Sequence, residues 1–584
     1  MPRIFINEID NTSPGVPPSY SNYSVLITGF TGRTLLTTAY VEEYNKNEPD
    51  KSKHLSADKI QPDANGVYEF TTSQDFKNTI GQRLPLVSSN DFKEDDAEEP
   101  EIKLYHYGNQ MAYELLELGY SIIYRPLTKF EEVADSTTGM CSDDFWAIFK
   151  DKSNYDFRFV THGLLDSYSN IKPENYELQK RLNEVNRAIE ELNTITANVN
   201  KGKAADKQVE LAMAYDELDK SKLPGLIDIE TDEIYTSFGD AVAGTEKERA
   251  YLESLNLMKE PEGTVTCDVI NEINKKIADL ATYDADQKDD PNIILGRGDC
   301  TALIELCAQT YVNDSGKKPE ELIIEAINGL SDSIKLSESN GRYCALTVPY
   351  VYYTKRDIFY APSKPVNQPK VDYKFPGAFH YLACFMNSLK QGFAEWYAAA
   401  GYTRGIASYT IDHTPVKLGE IAINALEPRY TEDIPDKTYP RFACNVIANF
   451  RGSYYLWGNR TAHPLGDKYS LTSGDLTASS FLNIRQLCST IKKQLYVSCR
   501  RFTFDPNSDT LWFNFVNAIK PTLEAMKADQ GIRDYRIVKV YTDKKATLKA
   551  KIRIIPIEAV EDFDLTIYLE DSFGETVATV GEAV

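Results

Sequence analysis

The sequence predicts a multidomain protein of α/β and α+β construction. It adds a C-terminal α+β domain, extended N- and C-terminal arms, and insertion domains that include a helical hairpin. Three observations predict this. The chain has 584 residues, too many for one hydrophobic core and enough for roughly three to four domains. Helices alternate with short apolar strands through most of its length, the pattern of layered α/β folds. Near the C-terminus two helices precede strands whose apolar side chains recur every second residue.

Residues 1–22 carry Pro14, Pro17 and Pro18 among Ser and Asn and read as an extended arm. Val25, Leu26 and Ile27 form a compact apolar run, a buried strand over residues 23–30. Residues 45–100 are polar and end in an acidic run, Asp91 to Glu99, which reads as a solvated surface loop. Calcium binding is the poorer reading there, because alternating ligands and a central Gly are missing. A helix over 109–118, stopped by Gly119, leads into a strand over 120–125, and another strand spans 155–161. Leu178, Leu182, Val185, Ile189, Leu192, Thr196 and Val199 recur at four-three spacing, the seam of a helix packed on a partner. The pattern breaks at Gly202 and resumes over 209–218. This predicts an antiparallel helical hairpin over 174–221, either a partner-binding projection or a self-packed decoration.

Residues 268–281 are helical, with Val269, Ile270, Ile273, Ile277 and Leu280 on the apolar side, and 301–306 is strand-like. In the C-terminal part, residues 481–495 and the face Leu511, Phe515, Ile519, Leu523 and Met526 mark two helices. Gly531 stands where a C-cap falls. Residues 551–554 alternate charged and apolar. Phe563, Leu565, Ile567 and Leu569 form a half-buried strand, and Thr576, Val577, Ala578, Thr579 and Val580 form a β-prone piece with no local partner.

Hydrophobic residues make up 42% and charged residues 26%, a globular composition, and no apolar run approaches the roughly 20 residues of a membrane span. The N-terminus lacks a long apolar stretch before a small-residue cleavage site, so the chain is expected to stay in the compartment where it is made. The nine cysteines come no closer than seven residues apart, which excludes a CxxC pair and predicts buried thiols in a reducing compartment. A net charge of −23 argues against direct nucleic-acid binding. The charge is uneven, however. Residues 479–553 hold fifteen Lys and Arg against six Asp and Glu, a net of +9, and residues 554–584 hold eight acids and no base.

Catalytic constellations are missing. Gly239 and Gly244 have P-loop spacing, but Thr245 and Glu246 stand where Lys and Ser/Thr must hold phosphate and magnesium. The histidines His54, His106, His162, His380, His413 and His463 are isolated, and no GxGxxG or GxSxG element appears. Arg297-Gly298-Asp299 reads as a turn before an apolar strand. No cofactor, metal site or catalytic residue is expected.

Five blocks in order resemble a known family. They are Arg297 to Ile304; Tyr343 to Tyr350; the run Trp396 to Gly405, with Trp396, Gly401, Arg404 and Gly405; Leu456 to Thr461, with Trp457, Gly458, Arg460 and Thr461; and Phe502 to Asn507, with Pro506 and Asn507, leading to a long helix and Gly531. Together they are similar to the tail sheath proteins of contractile bacteriophages, and also to pyocin-type and injection-system sheaths. Ala399 replaces a frequent proline of the third block, and residues 31–100 and 165–290 match nothing in the family.

The resemblance implies a structural subunit, not an enzyme. It would polymerise helically around an inner tail tube and contract to drive that tube through a host envelope. It implies arm strands, here Ile4, Phe5 and Ile6 at one end and residues 576–580 at the other, that complete sheets of neighbouring copies. The implied partners are neighbouring subunits, the inner tube protein, and baseplate and tail terminator proteins, with no direct nucleic-acid or membrane contact. The implied location is a virion tail assembled in the bacterial cytoplasm. The expected limits are an arm over 1–22 and a first α/β part over 23–165 with a polar insertion at 31–100. An outer insertion follows over 166–290, then a second α/β part over 291–430, a C-terminal domain over 431–570 and an arm over 571–584.

Arg485, Lys492, Lys493, Arg500 and Arg501 have no acid among them and suggest a tube-facing surface. The other reading is an internal balance of basic helix against acidic strand. A bacteriocin or secretion-type sheath, a capsid or surface-layer lattice protein, and an enzyme of unrecognised fold are the alternatives.

Overall fold

The structure is a computed structural model. It describes residues 23–30, 36–51, 54–80, 107–127, 131–164, 173–201, 206–218, 220, 223–227, 234–254, 266–283, 296–307, 317–336, 338–356, 370–406, 414, 416–428, 439–464, 477–541 and 547–559. Both expected arm strands, residues 4–6 and 576–580, and the expected strand at 563–569 lie outside the described residues.

The chain opens with β1 (Ser24–Phe30), α1 (Thr38–Asn47), β2 (Tyr68–Phe70), α2 (Ser73–Ile80), α3 (Tyr107–Leu118) and β3 (Ser121–Leu127). The short helices α4 (Glu131–Ala134) and α5 (Asp143–Ala147) lead to β4 (Phe159–Val160). An inserted helical unit follows, made of α6 (Pro173–Lys201), α7 (Lys207–Glu217) and α8 (Phe238–Ser254). The chain continues through α9 (Cys267–Ala281), β5 (Thr301–Ile304), α10 (Pro319–Ile334), α11 (Glu338–Gly341) and β6 (Cys344–Val348). Next come β7 (Val351–Arg356), β8 (Lys370–Phe375), α12 (Gly377–Lys390), α13 (Gly401–Arg404), α14 (Glu420–Ala425), β9 (Asn445–Phe450) and β10 (Ser453–Trp457). The last described elements are α15 (Leu482–Arg500), α16 (Asp509–Ala528), β11 (Ile532–Val540) and β12 (Lys549–Pro556).

Eight strands form one sheet in the order β10-β9-β6-β5-β4-β1-β3-β2. The inner strands run parallel, and β2 and β10 are antiparallel at the two edges. A parallel sheet covered on both faces needs strands that are apolar throughout, which is why Val25-Leu26-Ile27 and the β5 and β6 runs show no polar alternation. Period-two geometry still sorts them by face. Leu26, Ile123, Val160, Ile304 and Leu346 face a core with Ile273, Ile277 of α9 and Ile327 of α10. Val25, Ile27, Ile122, Phe159 and Leu303 face a second core with Leu115 of α3 and Phe379 of α12.

Glu305, one residue past β5, is fully buried, and its carboxylate accepts the Ala378 N–H at the start of α12 (2.8 Å). Burial pushes this carboxyl up to about 8, against the pull of the Ala378 and Gly377 N–H groups.

Several expectations need correction. Residues 45–100 are not a plain surface loop. β2 extends the large sheet beside β3, and Phe70, Phe76 and Ile80 are core residues, a sparse apolar signal in a polar stretch. α6 and α7 pack together, but α6 packs more extensively along α8, which the sequence pattern did not announce. Val185 and Ile189 meet Leu252 of α8, and Arg181 grips Glu248 with two bonds of 2.6 and 2.9 Å. The limit expected at residue 430 falls too early. β9 and β10 close the large sheet, so the C-terminal unit begins only at α15.

The expectation of free, buried thiols fails at four positions, one of them the half-buried Cys488. Cys267 and Cys307 are joined as a disulfide with Cα atoms 5.3 Å apart, because α9 starts beside the end of β5, and Cys499 is exposed. Gly531 is not the left-handed cap of α16 either. Gln530 takes φ 57°, while Gly531 N–H bonds Met526 O (2.8 Å) and leaves room for the Trp396 ring, which a Cβ there would meet at 2.9 Å.

Because the Glu305 carboxyl titrates higher in the fold than in the unfolded chain, the folded state holds the extra proton between about pH 4 and pH 8. This group's contribution is therefore present at acid pH and is lost as pH rises towards 8. Glu305→Gln should remove that loss, raising the urea midpoint at pH 8 relative to pH 5 compared with the parent chain.

Candidate assembly surface

α15 carries its charges on the side that packs against the sheet. Asn483, Arg485, Gln486, Ser489, Thr490, Lys493, Gln494 and Ser498 are all buried, an unusual inventory for a helix face. They meet groups at the amino ends of β4, β5 and β6. Lys492 Nζ donates to Gly298 O (2.7 Å) and Tyr343 OH (3.3 Å). Lys493 Nζ donates to Phe157 O (2.9 Å) and to Asp156, and lies 3.7 Å from Asp299. Arg485 donates to Gly298 O (3.4 Å) and lies over the Tyr343 ring, and Gln486 donates to Thr301 Oγ1 (3.0 Å). The residues before a strand leave carbonyls that the sheet does not use, and cations on a long stem can reach them.

The body contributes its own buried charges to this seam. Arg297 binds Asp299 (3.0 Å) and the carbonyls of Phe149 and Tyr155, so the Arg-Gly-Asp turn is an internal clamp. Burial alone would raise the Asp299 carboxyl, but Arg297, Lys493 and Lys152 outweigh it and hold it below the usual carboxylate range. Arg158 is fully buried beside Thr490 (2.9 Å) and 3.7 Å from Glu395, which also accepts the Tyr23 hydroxyl (2.9 Å). Tyr23 is the residue at which the described chain begins, so the base of the N-terminal segment is tied to the same seam.

The expected tube-facing set is thus divided. Arg485, Lys492 and Lys493 point into the protein and are engaged there, which contradicts an outward role. Among the described residues, the counter-charges of Lys493 are Asp156 and Asp299 of the α/β body. Arg500 is half-buried and donates to Ser153 Oγ (2.8 Å); Arg501 is exposed. The composition of α15 was legible, but its orientation was not.

The resemblance residues sit where α15 and the following unit join the body. Asn459 caps α15 through Leu482 N–H (2.9 Å) and Asn483 N–H (3.0 Å). Gly458 takes φ 144° against Asn445, whose side chain bonds both Arg460 N–H (2.8 Å) and Arg460 O (2.9 Å). Arg460 reaches Glu427 (3.1 Å), and Thr461 donates to Ser479 O (2.7 Å). Trp396 donates to Asp529 O (2.9 Å) at the end of α16 and packs on Gly531. Arg404 bonds Ala398 O (2.7 Å), Gly401 takes φ 82°, and Gly405 O accepts Leu456 N–H of the β10 edge (2.9 Å). Trp457 meets the Tyr402 and Phe450 rings edge-to-face, and Tyr402 in turn meets Tyr455. Pro506 and Asn507 lie in the exposed turn between α15 and α16.

Beyond the seam, α15 and α16 are covered by only two described strands. β11 and β12 pair antiparallel and lay Tyr535, Ile537, Ile552 and Ile554 on Leu487, Ile491, Phe515 and Ile519. Among the described residues neither strand has a second neighbour. A groove of about 380 Å³ opens at the β12 side, lined by Leu495, Cys499, Phe502, Phe515, Ala550 and Ile552 among others. Phe504, 77% exposed at φ 77°, and Phe513, 64% exposed, add apolar surface on this unit. A two-stranded sheet over a wider helical pair is an unfinished layer.

His162 is buried against Asn274 (3.2 Å) and pushed down to about 4 by desolvation, and among the described residues no group of three or more His, Cys, Asp or Glu could hold a metal.

No family model matches the chain, and no curated protein does. Among solved structures it is similar to a chain of the anti-feeding prophage baseplate, seen by six-fold symmetrised cryo-EM. The identity is 10%, with 98% of this chain and 99% of that chain covered, at a TM-score of 0.46. It is also similar to a chain of the PVC sheath complex of an extracellular contractile injection system in its contracted state. There the identity is 10%, with 98% of each chain covered, at a TM-score of 0.42. With TM-scores below 0.5 the likeness carries no functional argument by itself.

Lys493→Ala would leave Asp299 to Arg297 and Phe157 O without its side-chain donor, and should cost about 1–3 kcal/mol in urea unfolding, whereas Arg501→Ala at the exposed end of the helix should change it by less than about 0.5 kcal/mol. The depressed Asp299 carboxyl contributes stability that is full above its unfolded pKa and is lost as pH falls through its lower folded value. Lys493→Ala should shrink that acid-side loss.

Proposed function

We propose that this chain is the subunit of a contractile sheath. It polymerises helically around an inner tube and contracts to drive that tube through a host envelope. The observation that carries the reading is the C-terminal layer: a helical pair roofed by two strands, with no further strand beside β12 among the described residues and an apolar groove next to it. The chain also has 22 residues before the first described strand region and 25 beyond residue 559, with strand-forming pieces at residues 4–6 and 576–580. The sequence blocks support it, since Trp396, Asn459, Thr461 and Gly531 hold the C-terminal unit to the α/β body.

In this reading the arms of neighbouring copies add strands to the β11–β12 layer. Such contacts are heterologous and need not close, so they build a helix. Backbone pairing keeps copies connected without fixing their orientation. About five backbone bonds at roughly 0.5–1.5 kcal/mol net each give a few kcal/mol per arm. The charged seam keeps each body and its C-terminal unit moving together, and contraction releases a metastable array without nucleotide chemistry.

The inner tube protein, the baseplate and the tail terminator are the further partners, and the site of action is a virion tail assembled in the bacterial cytoplasm. On the described surface of α15, a tube contact falls to Arg501 and part of Arg500. A bacteriocin or secretion-type particle would use the same subunit; neighbouring capsid and terminase genes distinguish a phage.

Deletion of residues 1–20 or of 575–584 should leave folded subunits that no longer polymerise, scored by negative-stain microscopy and circular dichroism. Normal tubes from either truncation would count against strand exchange.

A further inference from the structure

Three cations gather around one tyrosine at the seam with no acid beside them. Tyr343, just before β6, is buried. Arg485 Cζ lies 4.6 Å, Lys492 Nζ 5.2 Å and Arg342 Cζ 5.3 Å from the centre of its ring. Lys492 and Arg485 also donate to a single carbonyl, Gly298 O, and Lys492 donates to the Tyr343 hydroxyl. These acceptors are neutral. Among the described residues none of the three cations makes an ion pair. By contrast, the next residue of α15, Lys493, reaches both Asp156 and Asp299.

The imbalance has two consequences. Burial alone would raise the Tyr343 hydroxyl, but Lys492, Arg485 and Arg342 together outweigh it and hold it below the ordinary tyrosine range. Donor capacity is also left over. The Nε atoms of Arg485 and Arg342 are buried and have no hydrogen-bond acceptor among the described residues, and Arg485 as a whole is only 7% exposed. A buried charged donor without an acceptor bears its full desolvation cost. The missing group must therefore bring both negative charge and several lone pairs. An oxyanion brings both, and guanidinium groups match carboxylate and phosphate oxygens in their forked geometry.

We propose that Arg342, Arg485 and Lys492 form an oxyanion-binding site, for a phosphate or carboxylate group, where the start of β6 in the α/β body meets α15. The site is independent of the sheath reading, and its occupant ties the C-terminal unit to the body by charge. Two sources carry this chemistry. One is a free phosphate. The other is the chain itself, because residues 284–290, which follow Tyr283 in sequence, include Asp284, Asp286, Asp289 and Asp290 against the single base Lys288.

Calorimetric titration of the full chain with inorganic phosphate, in chloride buffer of matched ionic strength, separates the sources. With a free anion as occupant, the parent should take one phosphate per chain and melt at a higher temperature in its presence. Arg342→Gln or Lys492→Gln should then weaken binding about tenfold. With the chain's own carboxylates as occupant, the parent should not respond. The fourfold variant Asp284→Asn/Asp286→Asn/Asp289→Asn/Asp290→Asn should then melt lower in chloride and gain one phosphate site. Adding Arg342→Gln should remove that site. Arg342 makes no hydrogen bond among the described residues, so its replacement reads the site even where Lys492→Gln fails to fold.

Absence of phosphate binding in both the parent and the fourfold variant would overturn the proposal. So would binding that persists undiminished in Arg342→Gln, which would mark an adventitious ion only.

Discussion

A helix with a cationic inner face, laid across the amino ends of a parallel sheet, is the arrangement on which the rest of this structure depends. Buried cations are tolerated only where every one finds acceptors. The strand starts supply them: the carbonyls of Phe157 and Gly298, the carboxylates of Asp156 and Asp299, and the Tyr343 hydroxyl. The pairing gains specificity more than net energy, because the desolvation of Arg485, Lys492 and Lys493 consumes much of the attraction. What it forbids is partial docking, since any other placement of α15 leaves an uncompensated charge.

From that constraint the C-terminal unit acquires its position. Asn459, Gly458 and Arg460 fix the start of α15, and Trp396 on Gly531 fixes the end of α16. The unit is therefore carried rigidly by the α/β body, with its unfinished strand layer turned away from the seam. Tyr23, bound to Glu395 beside Arg158, places the root of the N-terminal segment at the same junction.

Much of the fold was legible from periodicity. The apolar runs of β1 and β5 announced strands, and Ile270, Ile273, Ile277 and Leu280 announced α9. The helices of the C-terminal unit were readable because Leu511, Phe515, Ile519 and Leu523 keep one face. Other features were hidden for physical reasons. β2 and α2 contribute only a few apolar residues to an edge, so a polar stretch masked them. β11 carries charge at alternate positions of its outward face, which obscured it. The orientation of α15 could not be read, because a run of cations looks like a solvated face until the carbonyls that receive it are placed by distant strands.

The charges of this molecule thus do two different jobs. Those on the inner face of α15 find acceptors within the chain and hold its parts together, while Arg536, Lys549, Lys551 and Arg553 on the outer face of β11–β12 are exposed and have no partner among the described residues. The most direct test of the account is amide hydrogen exchange on the free subunit and on assembled particles. The account predicts that the β12 amides not bonded to β11 become strongly protected on assembly, while the protection of α15 stays the same. Unchanged exchange in β12, or loss of protection along α15, would contradict it.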